Sequence, residues 1–280
     1  MAQPGRSRLP RTGALMADSS GLFFEAGGTE GPLLVLLHGL HANSAVWHPF
    51  EAVLTQHWAG SWIAPDFRGH GRSGHARPYS IERHAMDVAA LLRDRRDVTL
   101  VGHSMGGLVA IVLGSMASAC SIRQVVAFGV KTDWSDEDVA RTQRFAQAPA
   151  KTFATRGEAV DRYLRLSGLH GLVDSESDTV AAGIACRDGA YMLATDPAVG
   201  AIERPDIARI ASGIEAPLTL LCGDRDAIAS PEGMSRFGAP VRILAGQGHN
   251  VHVEAPEVFW DAVKDSLPVA WRTPASAAGG

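Results

Sequence analysis

Six short runs in this chain are apolar almost from end to end: PLLVLLHG (32–39), SWIAPDFRG (61–69), VTLV (98–101), RQVVAFG (123–129), APLTLLCG (216–223) and APVRILAG (239–246). Their length and β-branched content predict strands, and the lack of polar alternation predicts burial on both faces. Segments with helical spacing lie between them. SIERHAMDVAALLRD (80–94) opens on a serine cap and repeats apolar residues at Met86, Val88, Ala89, Leu91 and Leu92. APEVFWDAVKDSL (255–267) carries proline near its first turn, and PEGMSRFG (231–238) reads as a shorter helix. Buried strands alternating with helices imply an α/β fold with a mostly parallel sheet, covered by helices on both faces. Residues 131–205 interrupt this rhythm. DEDVARTQRFAQ and EAVDRYLRLSGL have helical spacing, and no good strand stands out. An inserted helical cap over the strand ends is the expected arrangement.

One boundary is unusually abrupt. In TLVGHSMGGLVAIVLG (99–114) a strand-like run meets a long apolar helix-like run with almost no connection. Ser104 must therefore occupy the turn itself, in an uncommon backbone conformation. Glycines stand at 102 and 106, where side chains would collide with their neighbours. This G-x-S-x-G pattern is a nucleophile elbow, which holds a serine hydroxyl above a sheet at the start of a helix.

Composition narrows the setting. A chain of 280 residues suits one large domain with room for an insertion. The expected division is a core at 19–130 and 206–268, the cap at 131–205, and disordered tails at 1–18 and 269–280. A net charge of −4 points away from nucleic acid and from anionic membrane surfaces. No apolar run reaches the roughly 18 residues of a membrane span, and the N-terminus has no stretch of signal-peptide length. A cytoplasmic protein is expected. Cys120, Cys186 and Cys222 are odd in number and widely spaced, which predicts reduced core thiols. The histidines show no ligand spacing, so neither a metal nor another cofactor is expected.

A serine nucleophile needs a base, and the base needs a group to orient it. In such folds these follow the serine in the order acid, then histidine. APLTLLCG runs into DRDAIASPEGM, which puts Asp226 in the loop beyond one strand, and APVRILAG runs into QGHNVHVEAPE, which puts His249 beyond the next. Those are the strand ends at which parallel sheets gather ligands. Asp224 competes with Asp226 but suits a loop cap, and Asp226 is preferred. His252 competes with His249, and Gly248 gives the preferred His249 loop freedom to turn its ring inward. His103 reads as packing. An oxyanion needs backbone N–H donors. Met105, following the serine, is one, and Leu40, after the His38-Gly39 turn in LLHGLHANSAVW (36–47), is the other. Trp134 lies just past RQVVAFG and is the best candidate for substrate binding in the cap, though it equally suits an anchor of cap to core.

Taken together, HGLHANSAVW, PDFRGHGRSG (65–74), VGHSMGG, CGDRDAIASP and GHNVHVEAPE (248–257) resemble the α/β-hydrolase superfamily of serine esterases, in family order from about residue 22 to 267. The resemblance implies an eight-stranded sheet, a Ser104–His249–Asp226 triad, and a hydrolase of small to medium carboxylic esters. Lactone, thioester and C–C bond hydrolysis, or a non-hydrolytic member of the fold, are the alternatives it leaves. It also implies that Asp66 and Arg68 serve structure rather than chemistry. Serine rather than aspartate at 104 argues against dehalogenase and epoxide hydrolase chemistry, and the HGGG loop of many lipases is absent.

Overall fold

The structure is a computed structural model describing residues 16–17, 21–28, 31–116, 121–201 and 203–268. In chain order it begins with β1 (Met16–Ala17), β2 (Phe23–Gly28), β3 (Leu33–Leu37), α1 (His48–His57), β4 (Ser61–Pro65) and α2 (Ile81–Leu91). Next come β5 (Val98–His103), α3 (Met105–Gly114) and β6 (Ile122–Phe128). The inserted segment holds α4 (Asp136–Gln147), β7 (Thr152–Phe153), α5 (Arg156–Leu166), α6 (Asp178–Gly183), β8 (Ile184–Arg187) and β9 (Ala190–Leu193). The chain closes with α7 (Ile207–Ser212), β10 (Leu218–Gly223), α8 (Pro231–Ser235), β11 (Val241–Leu244), α9 (Val251–Glu254) and α10 (Pro256–Val263).

Eight strands form one sheet in the order β1-β2-β4-β3-β5-β6-β10-β11. β1–β2 and β2–β4 pair antiparallel, and the remaining neighbours, β4-β3-β5-β6-β10-β11, pair parallel. The outermost strand is only a two-residue pairing, Met16 and Ala17 against Phe24 and Phe23. Seven longer strands therefore carry the sheet. Those two residues correct the expected tail at 1–18, whose other residues, like 269–280, lie outside the described residues.

Strand periodicity divides the core into two layers. Leu33, Val35 and Leu37 of β3 pack with α2 and α3, whereas Leu34 and Leu36 pack with α1 and α10 on the other face. β5 and β6 divide the same way, Leu100, Val125 and Ala127 against Val101, Val126 and Phe128. Because both faces are covered, these strands lack polar alternation. All ten residues of α3 are buried, as its unbroken apolar sequence requires. Cys222 lies in this core, Cys186 is exposed on β8, and Cys120 is outside the described residues.

The insertion differs from its expected form. Its helices are present, and α4 and α5 are each opened by a capping box, Ser135 with Asp138 and Thr155 with Glu158. Alongside them, however, β7, which lies between α4 and α5, and β8 and β9, which follow α6, make a three-stranded antiparallel sheet in the order β7-β9-β8. These strands have two to four residues and no fully buried run, so no apolar pattern announced them.

Candidate active site

The elbow is built by close backbone approach. Ser104 sits between β5 and α3 at φ 51°, ψ −115°, a strained conformation for a residue with a side chain. A Cβ at 102 would lie 2.3 Å from the Gly106 carbonyl oxygen, and one at 106 would lie 2.3 Å from that of Leu37. Only glycine fits at either position. The Ser104 N–H donates to the Phe128 carbonyl at 2.8 Å, which ties the turn to β6.

Asp226 and His249 arrive on the loops beyond β10 and β11. His249 Nδ1 lies 2.8 Å from Asp226 Oδ2, with the carboxylate side chain 1% exposed. An ionised carboxylate only accepts, so Nδ1 carries the proton and the Nε2 lone pair is free. The other oxygen, Asp226 Oδ1, accepts from the N–H groups of Ile228 (2.8 Å) and Ala229 (3.0 Å). Burial pushes the Asp226 pKa up, but the hydrogen bond and charge of His249, with the two loop N–H groups, outweigh it and leave the net shift downward. Asp226 stays ionised.

The competing residues do other things. Asp224 is exposed and accepts from the Gly246 N–H at 2.8 Å, as a loop cap does. His252 is fully buried between Trp47 and His103, ring centroids 4.6 and 4.7 Å away, with neither nitrogen bonded. Burial lowers its pKa to about 3. His103 is buried too, and its Nε2–H donates to the His249 carbonyl at 3.0 Å, so it packs and also holds the histidine loop. Gly248 does not work through backbone freedom as expected. The Glu254 carboxylate accepts from the N–H groups of Gly248 and Asn250, both at 2.9 Å, and a Cβ at 248 would lie 2.8 Å from it.

Ser104, His249, Leu40, Met105 and Trp134 line one cavity of about 240 Å³. Among the described residues, the backbone N–H groups of Leu40 and Met105 have no partner within the protein. Trp134 is half-buried and its Nε1–H donates to the Lys131 carbonyl of its own segment at 3.2 Å. Arg165 also lines the cavity and pairs with Asp161 at 3.0 Å. Nothing in its sequence context marks it. Gly129 was equally unmarked: at φ 62° it faces the histidine, and a Cβ there would lie 3.1 Å from His249 Nδ1 and 3.4 Å from Asp226 Oδ2.

The loop after β4 is structural. Asp66, wholly buried, accepts from the N–H of Ser44 (2.6 Å) and of Arg72 (2.7 Å). Arg68 makes a two-pronged ion pair with Asp87. One group of side chains able to ligate a metal comes together away from the serine, Glu25, His48 and Glu51, although Glu25 is already held by His48 and Arg72, each at 2.8 Å. No helix among the described residues is long and apolar enough to cross a membrane.

A 2-succinyl-6-hydroxy-2,4-cyclohexadiene-1-carboxylate synthase of Serratia proteamaculans is 27% identical over 257 residues, 87% of this chain and 96% of its own. A pimeloyl-[acyl-carrier protein] methyl ester esterase of Pseudoalteromonas atlantica is 25% identical, over 71% of this chain and 78% of its own. The crystal structure of E-2-(acetamidomethylene)succinate hydrolase superposes with a TM-score of 0.71 at 23% identity, covering 87% of this chain and 94% of that one. Residues 34–262 match the Alpha/beta hydrolase family, and the chain belongs to it.

Proposed function

We propose that this chain is a serine hydrolase of small to medium carboxylic esters, with residues 131–205 as its cap. The observation that carries this reading is the 2.8 Å His249–Asp226 bond, which leaves His249 Nε2 as a base in the cavity of the strained Ser104. Ser104 Oγ attacks the ester carbonyl carbon while His249 Nε2 takes its proton. The Leu40 and Met105 N–H groups receive the developing oxyanion, and being fixed backbone they need not reorganise. As the intermediate collapses, the alkoxide leaves with the proton from His249. Water then repeats the sequence on the acyl-enzyme, releasing the acid and restoring the serine. Asp226 holds the histidine tautomer and balances the imidazolium charge.

A panel of p-nitrophenyl esters tests it. Hydrolysis by the wild-type protein should fall by about 10⁴–10⁶-fold in Ser104→Ala with the fold intact. Retained activity in that variant, with unchanged circular dichroism, overturns the reading. One relative's name favours a second reading: the Serratia protein is called a synthase, so a non-hydrolytic reaction at the same serine is the alternative. No turnover of any ester, lactone or thioester, with Ser104 still reactive toward an organophosphate, would favour it.

A further inference from the structure

Among the described residues there is a cavity larger than the one at Ser104. It holds about 550 Å³ between the insertion, at the end of α4, the β7 loop, α5 and β9, and His41 of the loop after β3, and shares no lining residue with the serine cavity. That volume is typical of small-molecule sites. Its walls include Phe145, Phe153 and Met192, and its charges are of one sign only, Lys151 and Arg162, with no carboxylate in the lining. Arg162 is half-buried on α5 and, among the described residues, makes no ion pair or hydrogen bond; the ring of Phe145 stands 5.5 Å away. A guanidinium left unpaired in partly buried surroundings is a costly arrangement that an anion would relieve.

One residue ties this cavity to the serine loop. His41, more than nine-tenths buried, lines the cavity with its ring, while its Nδ1 is closed off from solvent and has no partner among the described residues. It is held at φ 64°, uncommon for a residue with a side chain. Its neighbours Leu40 and Ala42 line the serine cavity instead. The wall between the two chambers is thus the loop that presents Leu40.

We propose that this chamber is a second binding site, separate from the serine, for a small organic carboxylate with an apolar body. The Arg162 guanidinium receives the carboxylate, Lys151 strengthens the field at the exposed side, and the phenylalanine and methionine walls take the hydrocarbon.

Octanoate is the probe, titrated calorimetrically into the full chain whose Ser104 has first been capped with an organophosphate. Saturable binding to the capped protein is expected, with octan-1-ol at least tenfold weaker. Arg162→Gln should weaken octanoate by at least tenfold, which corresponds to a lost charged contact of about 1.4 kcal/mol. Lys151→Ala, an exposed change, should weaken it two- to threefold. Should Arg162→Gln fail to fold, Met192→Trp, which fills the chamber from its wall, must abolish binding. Equal affinity for octanol, binding unaffected by Arg162→Gln or Met192→Trp, or no binding to the capped protein each overturns the site.

Discussion

Asp226 and Asp224 stand two residues apart, yet their carboxylates meet different fates. Asp226 is enclosed and bonded to the His249 ring, whereas Asp224 holds a loop N–H at the surface. Asp226→Asn should therefore lower kcat by about 10⁴-fold, because an amide in that place favours the wrong histidine tautomer. Asp224→Asn should change it by less than threefold. Steady-state rates of both variants on one p-nitrophenyl ester decide the matter, and similar losses would mean that the acid has been misplaced. The two histidines separate in another way. His252 fills core space beside Trp47 and Phe259, so His252→Ala should cost roughly 3 kcal/mol by analogy with other large-to-small core changes. His249→Ala opens no such void. It should abolish turnover while urea unfolding moves little.

At the scale of elements, what could be read in the chain was what burial writes into it. The strands enclosed by the sheet, β3, β4, β5, β6 and β10, are apolar runs bounded by glycine; β11 has the same look but is the edge strand and is largely exposed, with Ile243 open to solvent, so its apolar run overstated its burial. The loops beyond three of these six strands hold the serine, acid and histidine. β2 escaped because only Phe23 and Phe24 are large and its end is Gly-Gly, a stretch that packs under the Trp62 ring. α1 escaped as well: HPFEAVLTQH buries only Phe50, Val53 and Leu54, too few for a clear stripe. The strands of the insertion are short and half-exposed, so their pairing depends on tertiary contacts rather than local pattern. Arg165 was illegible for the same reason, being one cation among many until α5 is placed over the serine. Trp134, whose two readings the sequence left equal, now has a testable preference. Its indole bonds within its own segment and lines the cavity, so Trp134→Ala should alter the ranking of acyl chain lengths while Tm moves by a few degrees at most. A large fall in Tm with unchanged ranking would make it an anchor.

The whole molecule carries an unusual number of enclosed imidazoles, and their combined titration sets a limit on its stability in acid. His38, His41, His70, His84, His103 and His252 are all buried, and burial is the first cause that lowers each pKa. His41 and His84 fall to about 4 and His252 to about 3, against 6.5 for the ordinary ring. Below pH 6.5 the unfolded chain takes up protons at these rings and the folded chain does not. Stability is therefore fully present above pH 6.5 and is lost as pH falls toward 4. Each such ring contributes up to about 1.4 kcal/mol per pH unit across that window. Glu51 acts in the opposite sense, since burial and then the nearby Glu25 charge raise its pKa to about 8, so its contribution grows as pH falls toward 4.5. One carboxyl does not offset six rings. Urea unfolding should give a nearly level free energy above about pH 8.5, a shallow rise as Glu51 protonates on the way to pH 7, and a steep decline between pH 6 and 4.5. His84 is the ring to change, because both of its nitrogens lack partners and its removal forfeits no hydrogen bond. His84→Leu should flatten the decline by about 1.4 kcal/mol per pH unit. A slope identical to wild type would show that His84 is already protonated in the folded protein, and that the acid limit comes from the carboxylates instead.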